Sequence, residues 1–133
     1  MATNDTTFDD DGSYEIRADE HTNTLYLAFN GTLSEDRMVV AAEETLAAAD
    51  RLDEGFSIIN DISTFSPPSP EAAKPIKTAQ QELKQMGVSE VVRVVGADTS
   101  AVVSNAFQRR SRKAGYDGET APTVRAAERK IGL

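Results

Sequence analysis

The sequence predicts a single α/β domain: a mixed four- to five-stranded sheet with helices packed against it, in the order β-β-α-β-α-β-α-β-α. Three observations carry this prediction. Residues 13–18 and 24–29 are alternating or apolar runs separated by the polar turn Asp19-Glu20-His21-Thr22-Asn23, the pattern of a hairpin. Residues 56–62 and 90–96 are short Ile/Val-rich runs, typical of strands covered on both faces. Between and beyond them, apolar residues recur at helical spacing, and right-handed crossovers then gather the strands into one sheet. A chain of 133 residues fits one such domain, which buries roughly two-thirds of the surface its unfolded chain exposes.

Residues 1–12 contain Asp5, Asp9, Asp10 and Asp11 and no basic side chain, so they read as a disordered acidic leader before a domain over 13–133. In the first strand Tyr14 and Ile16 share a face, and the second carries Leu25, Tyr26, Leu27 and Phe29. Thr32 and Glu35 have capping-box spacing, which predicts a helix after Gly31 that runs to about Leu52. Past the strand at 56–62, the residues Ala72, Ile76, Ala79, Leu83 and Met86 form one helical stripe with Gly87 at its C′ position. Pro75 predicts a kink there, or a separate first turn begun by Ser69-Pro70. After the strand at 90–96, Asp98, Thr99 and Ser100 offer N-cap oxygens to a third helix, with Val103, Phe107 and Ala114 on its apolar face and Gly115 at its end. A short strand at 119–121 and a helix capped by Thr123, burying Val124, Ala127 and Ile131, complete the order.

The composition narrows the function classes. With no cysteine, the chain has no disulfide framework, no thiolate metal site and no thiol nucleophile, in agreement with a cytoplasmic location. No stretch approaches the roughly 20 apolar residues of a membrane span, and Met1 is not followed by a basic and then apolar signal segment. The net charge of −8, from 22 acidic and 14 basic side chains, argues against nucleic acid as a partner. The same acidic, lysine-poor surface suits molar salt, where the Debye length shrinks to about 3 Å; an ordinary acidic protein is the alternative.

Ligands and partners of open α/β sheets meet the protein at the carboxyl ends of the strands. Candidate binding residues there are Asp61, Ser63, Thr64, Phe65, Ser66 and Ser69 after one strand, and Asp98, Thr99 and Ser100 after the next. The structural alternatives are that Asn60 and Asp61 satisfy turn amides and that Phe65 closes the core as a lid. Arg109, Arg110, Arg112 and Lys113 form a dense basic cluster, a possible second contact for an acidic partner, a phosphate or a lipid headgroup, or simply cations complementing a helix C-terminus. Arg93, flanked by valines, must reach solvent or an acidic partner. His21, in the hairpin turn, is a surface residue with no second histidine to build a metal site.

Catalytic signatures are sparse. The stretch 96–100 follows a strand but lacks the second glycine and the lysine of a phosphate-binding loop. One turn histidine assembles no triad. Asp61 and Asp98 as a pair of strand-end acids are a weak signal. No catalytic residue, metal or cofactor is therefore assigned.

The strand-turn-helix IINDISTFSPPSPEAAKPIK (58–77), the strand VVRVVG (91–96), and the helix SNAFQRRSRKAGY (104–116) leading to a last strand and helix together resemble the STAS-like family. That family includes anti-sigma-factor antagonists and related small proteins grouped with SEC14-like folds. The resemblance covers about 13–133 and lies in topology and segment length more than in a short motif. In the antagonists a serine preceded by an aspartate, where the strand meets the next helix, is phosphorylated to control partner binding. The matching region here keeps Asp61 and offers Ser63, Thr64, Ser66 and Ser69, with no Asp-Ser-Ser-Gly run. The resemblance implies a non-catalytic module that binds another protein, in a regulatory partner switch. Its SEC14-like side implies the alternative, a carrier of a small apolar ligand, for which a pocket of several hundred cubic ångströms between helix and sheet would speak.

Overall fold

A computed structural model of the chain describes residues 12–65, 74–95 and 119–133. The acidic leader and the third helix expected around 98–115 lie outside them.

Strands β1 (Ser13–Asp19) and β2 (Thr24–Gly31) form the hairpin, in unbroken antiparallel register from Ser13↔Asn30 to Asp19↔Thr24. The turn closes on Asp19, whose Oδ1 accepts from the amides of His21 and Thr22. Asn23 completes it at φ 54°, a conformation that asparagine tolerates better than most residues. Just before β1, Gly12 donates its amide to the carbonyl of Thr32. A side chain there would meet the Asn30 carbonyl oxygen at 2.4 Å, so only glycine lets the two backbones come this close.

Helix α1 (Glu35–Ala49) is capped by Ser34, whose Oγ accepts from the amide of Arg37 at 3.3 Å. The cap therefore lies two residues after the predicted Thr32, and with Arg37 at N3 it forms no capping box; Leu33 is buried in the core, and the chain enters it before turning into the helix. The helix lies over β1. Tyr14 donates its hydroxyl to Glu44 Oε2 at 2.7 Å, and an Arg37 guanidinium nitrogen donates to the Gly12 carbonyl at 2.8 Å.

The remaining described elements are β3 (Ser57–Phe65), α2 (Lys74–Gln85), β4 (Glu90–Val94), β5 (Glu119–Ala121) and α3 (Val124–Lys130). Pro75 lies in the first turn of the described part of α2. Gly87, at φ 97°, ends that helix as predicted. Its amide bonds the Lys84 carbonyl, and that of Val88 bonds Leu83, the paired contacts of a Schellman motif. Thr123 caps α3 by accepting from the amide of Ala126.

The five strands lie in sequence order, β1 antiparallel to β2 and all later neighbours parallel. Helices α1 and α2 cover one face, burying Leu25, Leu27, Phe29, Ile58 and Ile62. On the opposite face Ile59, Val92, Val94 and Ala121 pack with Ala127 of α3. Arg93 is only 1% exposed. It stands in register between Asn60 and Thr120 and is not without a partner; its charge is held inside the fold rather than carried to solvent.

Candidate functional site

β3 extends three residues past the end of its apolar run at Ile62. Among the described residues its last partner on β4 is Val94, opposite Asp61; beyond that point it pairs with β2, to Phe65 opposite Gly31. The carboxyl end of β3 thus extends past the described part of β4. A bulge makes this possible. Asp61 pairs with Ala28 and Thr64 with Asn30, so β3 spends one more residue than β2 over the same span. Asp61 stabilises the bulge, its Oδ1 accepting from both the Ser63 amide at 3.1 Å and the Ser63 hydroxyl at 2.7 Å. The exposed Thr64 donates its hydroxyl to Asn30 Oδ1 at 2.6 Å.

The extra residue also inverts the strand's alternation, so that Ile62 and Phe65 both reach the face covered by α1 and α2. Phe65 is 3% exposed, and its ring lies 5.6 Å from that of Phe29. This corrects its assignment to a binding loop. Phe65 is a core residue at the end of a strand, and the regular two-residue period of a sequence reading conceals it. Asp61, Ser63 and Thr64 are brought together at this end of β3. Ser66, Ser69, Asp98, Thr99 and Ser100, and the basic cluster of Arg109, Arg110, Arg112 and Lys113, lie outside the described residues.

A second polar feature, not singled out in the sequence, occupies the sheet face opposite α1 and α2. Here Glu15, Arg17, Tyr26, Ala28 and Asp61 border a depression of ≈240 Å³ beside Val124 of α3. The Arg17 guanidinium sits 4.1 Å from the centre of the Tyr26 ring, and the Tyr26 hydroxyl donates to Glu128 Oε2 at 2.7 Å. Burial, reinforced by that bond to a carboxylate, pushes the Tyr26 phenol up to about 12. It is a neutral hydrogen-bond donor at ordinary pH, not a base. The alternation of Glu15 and Arg17 on β1 was the available signal, but Glu128 is too distant in sequence to be paired with Tyr26 by inspection.

Between the sheet and α1–α2, a cavity of ≈40 Å³ is bordered by Phe29, Met38, Thr45, Asn60, Gln80 and Leu83. Asn60 Oδ1 faces no hydrogen-bond partner among the described residues. A volume of this size holds a few water molecules. Among the described residues no group of three or more His, Asp or Glu side chains is arranged to hold a metal ion, and no helix is long and apolar enough to cross a membrane.

The solved structure of the anti-sigma factor antagonist SpoIIAA in its unphosphorylated form superimposes on this chain with a TM-score of 0.62, covering 91% of this chain and 98% of that one at 16% sequence identity. The fold is STAS-like. The mixed sheet and the helices on it are as the sequence predicted. No protein-family model and no curated protein matches the chain at the level of sequence.

Proposed function

We propose that this chain is a non-catalytic, cytoplasmic interaction module that meets a partner protein through the carboxyl rim of β3, in a regulatory switch of the kind the antagonist fold serves. The observation that carries this reading is that, among the described residues, β3 extends past β4 and sets Asp61, Ser63 and Thr64 together at its carboxyl end. Short hydroxyl and carboxylate side chains on a rigid strand suit a polar protein contact. The site extends, in this proposal, to Ser66, Ser69 and Asp98 to either side.

Among the described residues the space between helices and sheet is ≈40 Å³, about a tenth of what a small apolar ligand occupies. The larger depression of ≈360 Å³ lies outside it, between α1 and α2 beside Val39, Leu46 and Pro75, and there a carrier would have to hold its ligand. The net charge of −8 speaks against nucleic acid as a partner.

The test is affinity capture of the tagged protein from its host's lysate at native salt, with wild type, Thr64→Arg and Ser69→Glu compared. One protein retained near one-to-one by the wild type and lost from both variants, at unchanged melting temperature, is the expected result. Equal retention by all three would move the contact elsewhere. A recurrent small molecule in the organic extract, without a protein, would revive the carrier.

A further inference from the structure

We propose that β1 is a dimerisation edge, on which a second copy of the chain adds its own β1 antiparallel about a two-fold axis passing by Ile16. β1 ends the strand order, and among the described residues no strand pairs with its outer side. Such an edge is normally blunted by charged side chains, proline, a bulge or short length. β1 has no proline, lysine or bulge, and its charged residues, Glu15, Arg17 and Asp19, alternate in sign, so they do not of themselves repel a second copy. It is a seven-residue strand, SYEIRAD, in regular register throughout.

Its side chains are self-complementary. Tyr14, Ile16 and Ala18 lean toward the core under α1, while Glu15 and Arg17 are exposed on the other face. A two-fold axis perpendicular to the sheet keeps like faces together, so residues opposite one another must share parity. Pairing Ile16 with Ile16 of the partner subunit overlaps the whole strand. It sets Glu15 against Arg17 of the partner subunit, and Arg17 against Glu15 of the partner subunit. Tyr14 then faces Ala18 of the partner subunit on the core side. Sliding by two residues, the smallest shift that preserves the faces, instead opposes Glu15 to Glu15 of the partner subunit or Arg17 to Arg17 of the partner subunit. Opposite charges directly across a strand pair stabilise it and like charges destabilise it, so charge and maximal overlap select the same register.

Arg17 remains available for this role. Its side chain is 62% exposed although it lies over Tyr26 and 3.7 Å from Asp19. The contact is isologous, and a single strand pair is at the low end of interface size, which makes the dimer concentration-dependent. β2 separates this edge from β3, so the strand pairing makes no use of the proposed rim and does not depend on it, although Glu15 and Arg17 border the same depression as Asp61.

Sedimentation equilibrium tests the idea, in salt moderate enough that the Debye length is about 8 Å. The wild-type mass should climb with concentration from 14.4 kDa toward twice that value. Glu15→Arg and Arg17→Glu should each weaken dimerisation by about tenfold or more, since two cross-strand pairs become repulsive. An equimolar mixture of the two variants should dimerise again, because each strand then opposes one of the other sign at both positions. Hydrogen exchange on the wild type supplies a readout free of mutation: β1 amides should gain protection as the dimer forms. A mass of one chain at every concentration, a mixture no better than its components, or a dimer with unprotected β1 amides would each overturn the proposal.

Discussion

Asp61 and Phe65 have opposite fates because β3 spends one residue more than β2 between them. For Phe65 the consequence is energetic. Truncating a buried aromatic removes transfer free energy and leaves a cavity, so Phe65→Ala should cost about 3–5 kcal/mol of stability, read as a lower denaturant midpoint, and an unchanged midpoint would put the ring outside the core. Tyr26 makes a prediction in pH. Its folded value of about 12 lies above the ordinary 10.0, so the fold favours the protonated phenol. That contribution is complete below pH 10, erodes as the unfolded chain ionises, and is spent once pH passes about 12. Wild type should therefore lose stability between these limits more steeply than Tyr26→Phe, which has no proton to lose there. Parallel alkaline profiles for the two proteins would contradict the bond to Glu128. Neither residue's environment was legible in the sequence. The bulge is set by how β3 pairs with β2, and the Tyr26–Glu128 contact joins the second strand to the last helix.

The ends of the elements show where local chemistry suffices to read a chain and where it does not. Gly87 was legible because a glycine after an apolar stripe meets a strictly local need, the left-handed residue that closes a Schellman motif. Gly87→Ala should destabilise by about 1–2 kcal/mol from backbone strain and further from the crowding of its Cβ against the Glu54 side chain, read as a lower urea midpoint. The start of α1 was misplaced because Thr32 and Ser34 both offer a capping hydroxyl, and burial of Leu33 decides between them. Ser34→Ala should cost about 1 kcal/mol, measurable by urea denaturation; a loss of that size from Thr32→Ala with none from Ser34→Ala would restore the original cap. The same distinction applies to β3. Its apolar half announces itself, whereas Ser63 and Thr64 belong to the strand only because β2 is there to pair with them.

At the scale of the whole molecule, strand order and the two packed faces follow from hydrophobic runs and crossover handedness, while charge sets the conditions under which they hold. The chain carries 22 acidic side chains against 14 basic ones. Among the described residues, the ion pairs of Arg17 with Asp19, Arg51 with Glu20 and Lys130 with Glu119 are exposed or half-exposed, and such pairs contribute little each. The acidic excess is left to be screened by solvent and salt. Lowering salt from about 1 M to 0.01 M lengthens the Debye screening distance from about 3 to 30 Å, comparable to the width of a domain this size, so every carboxylate then repels the rest. The melting temperature should fall on dialysis from molar to low salt, with weakening circular dichroism at the lowest concentrations. Salt also strengthens apolar burial in general, and a second variant separates the two causes. Glu43→Gln with Glu82→Gln removes two exposed charges, one from α1 and one from α2, without touching the core. If self-repulsion governs the response, this variant gains stability at low salt, little at high salt, and its melting curve moves less between them. An identical salt response in variant and wild type would assign the effect to burial, and no response in either would mark the acidic surface as unrelated to salt.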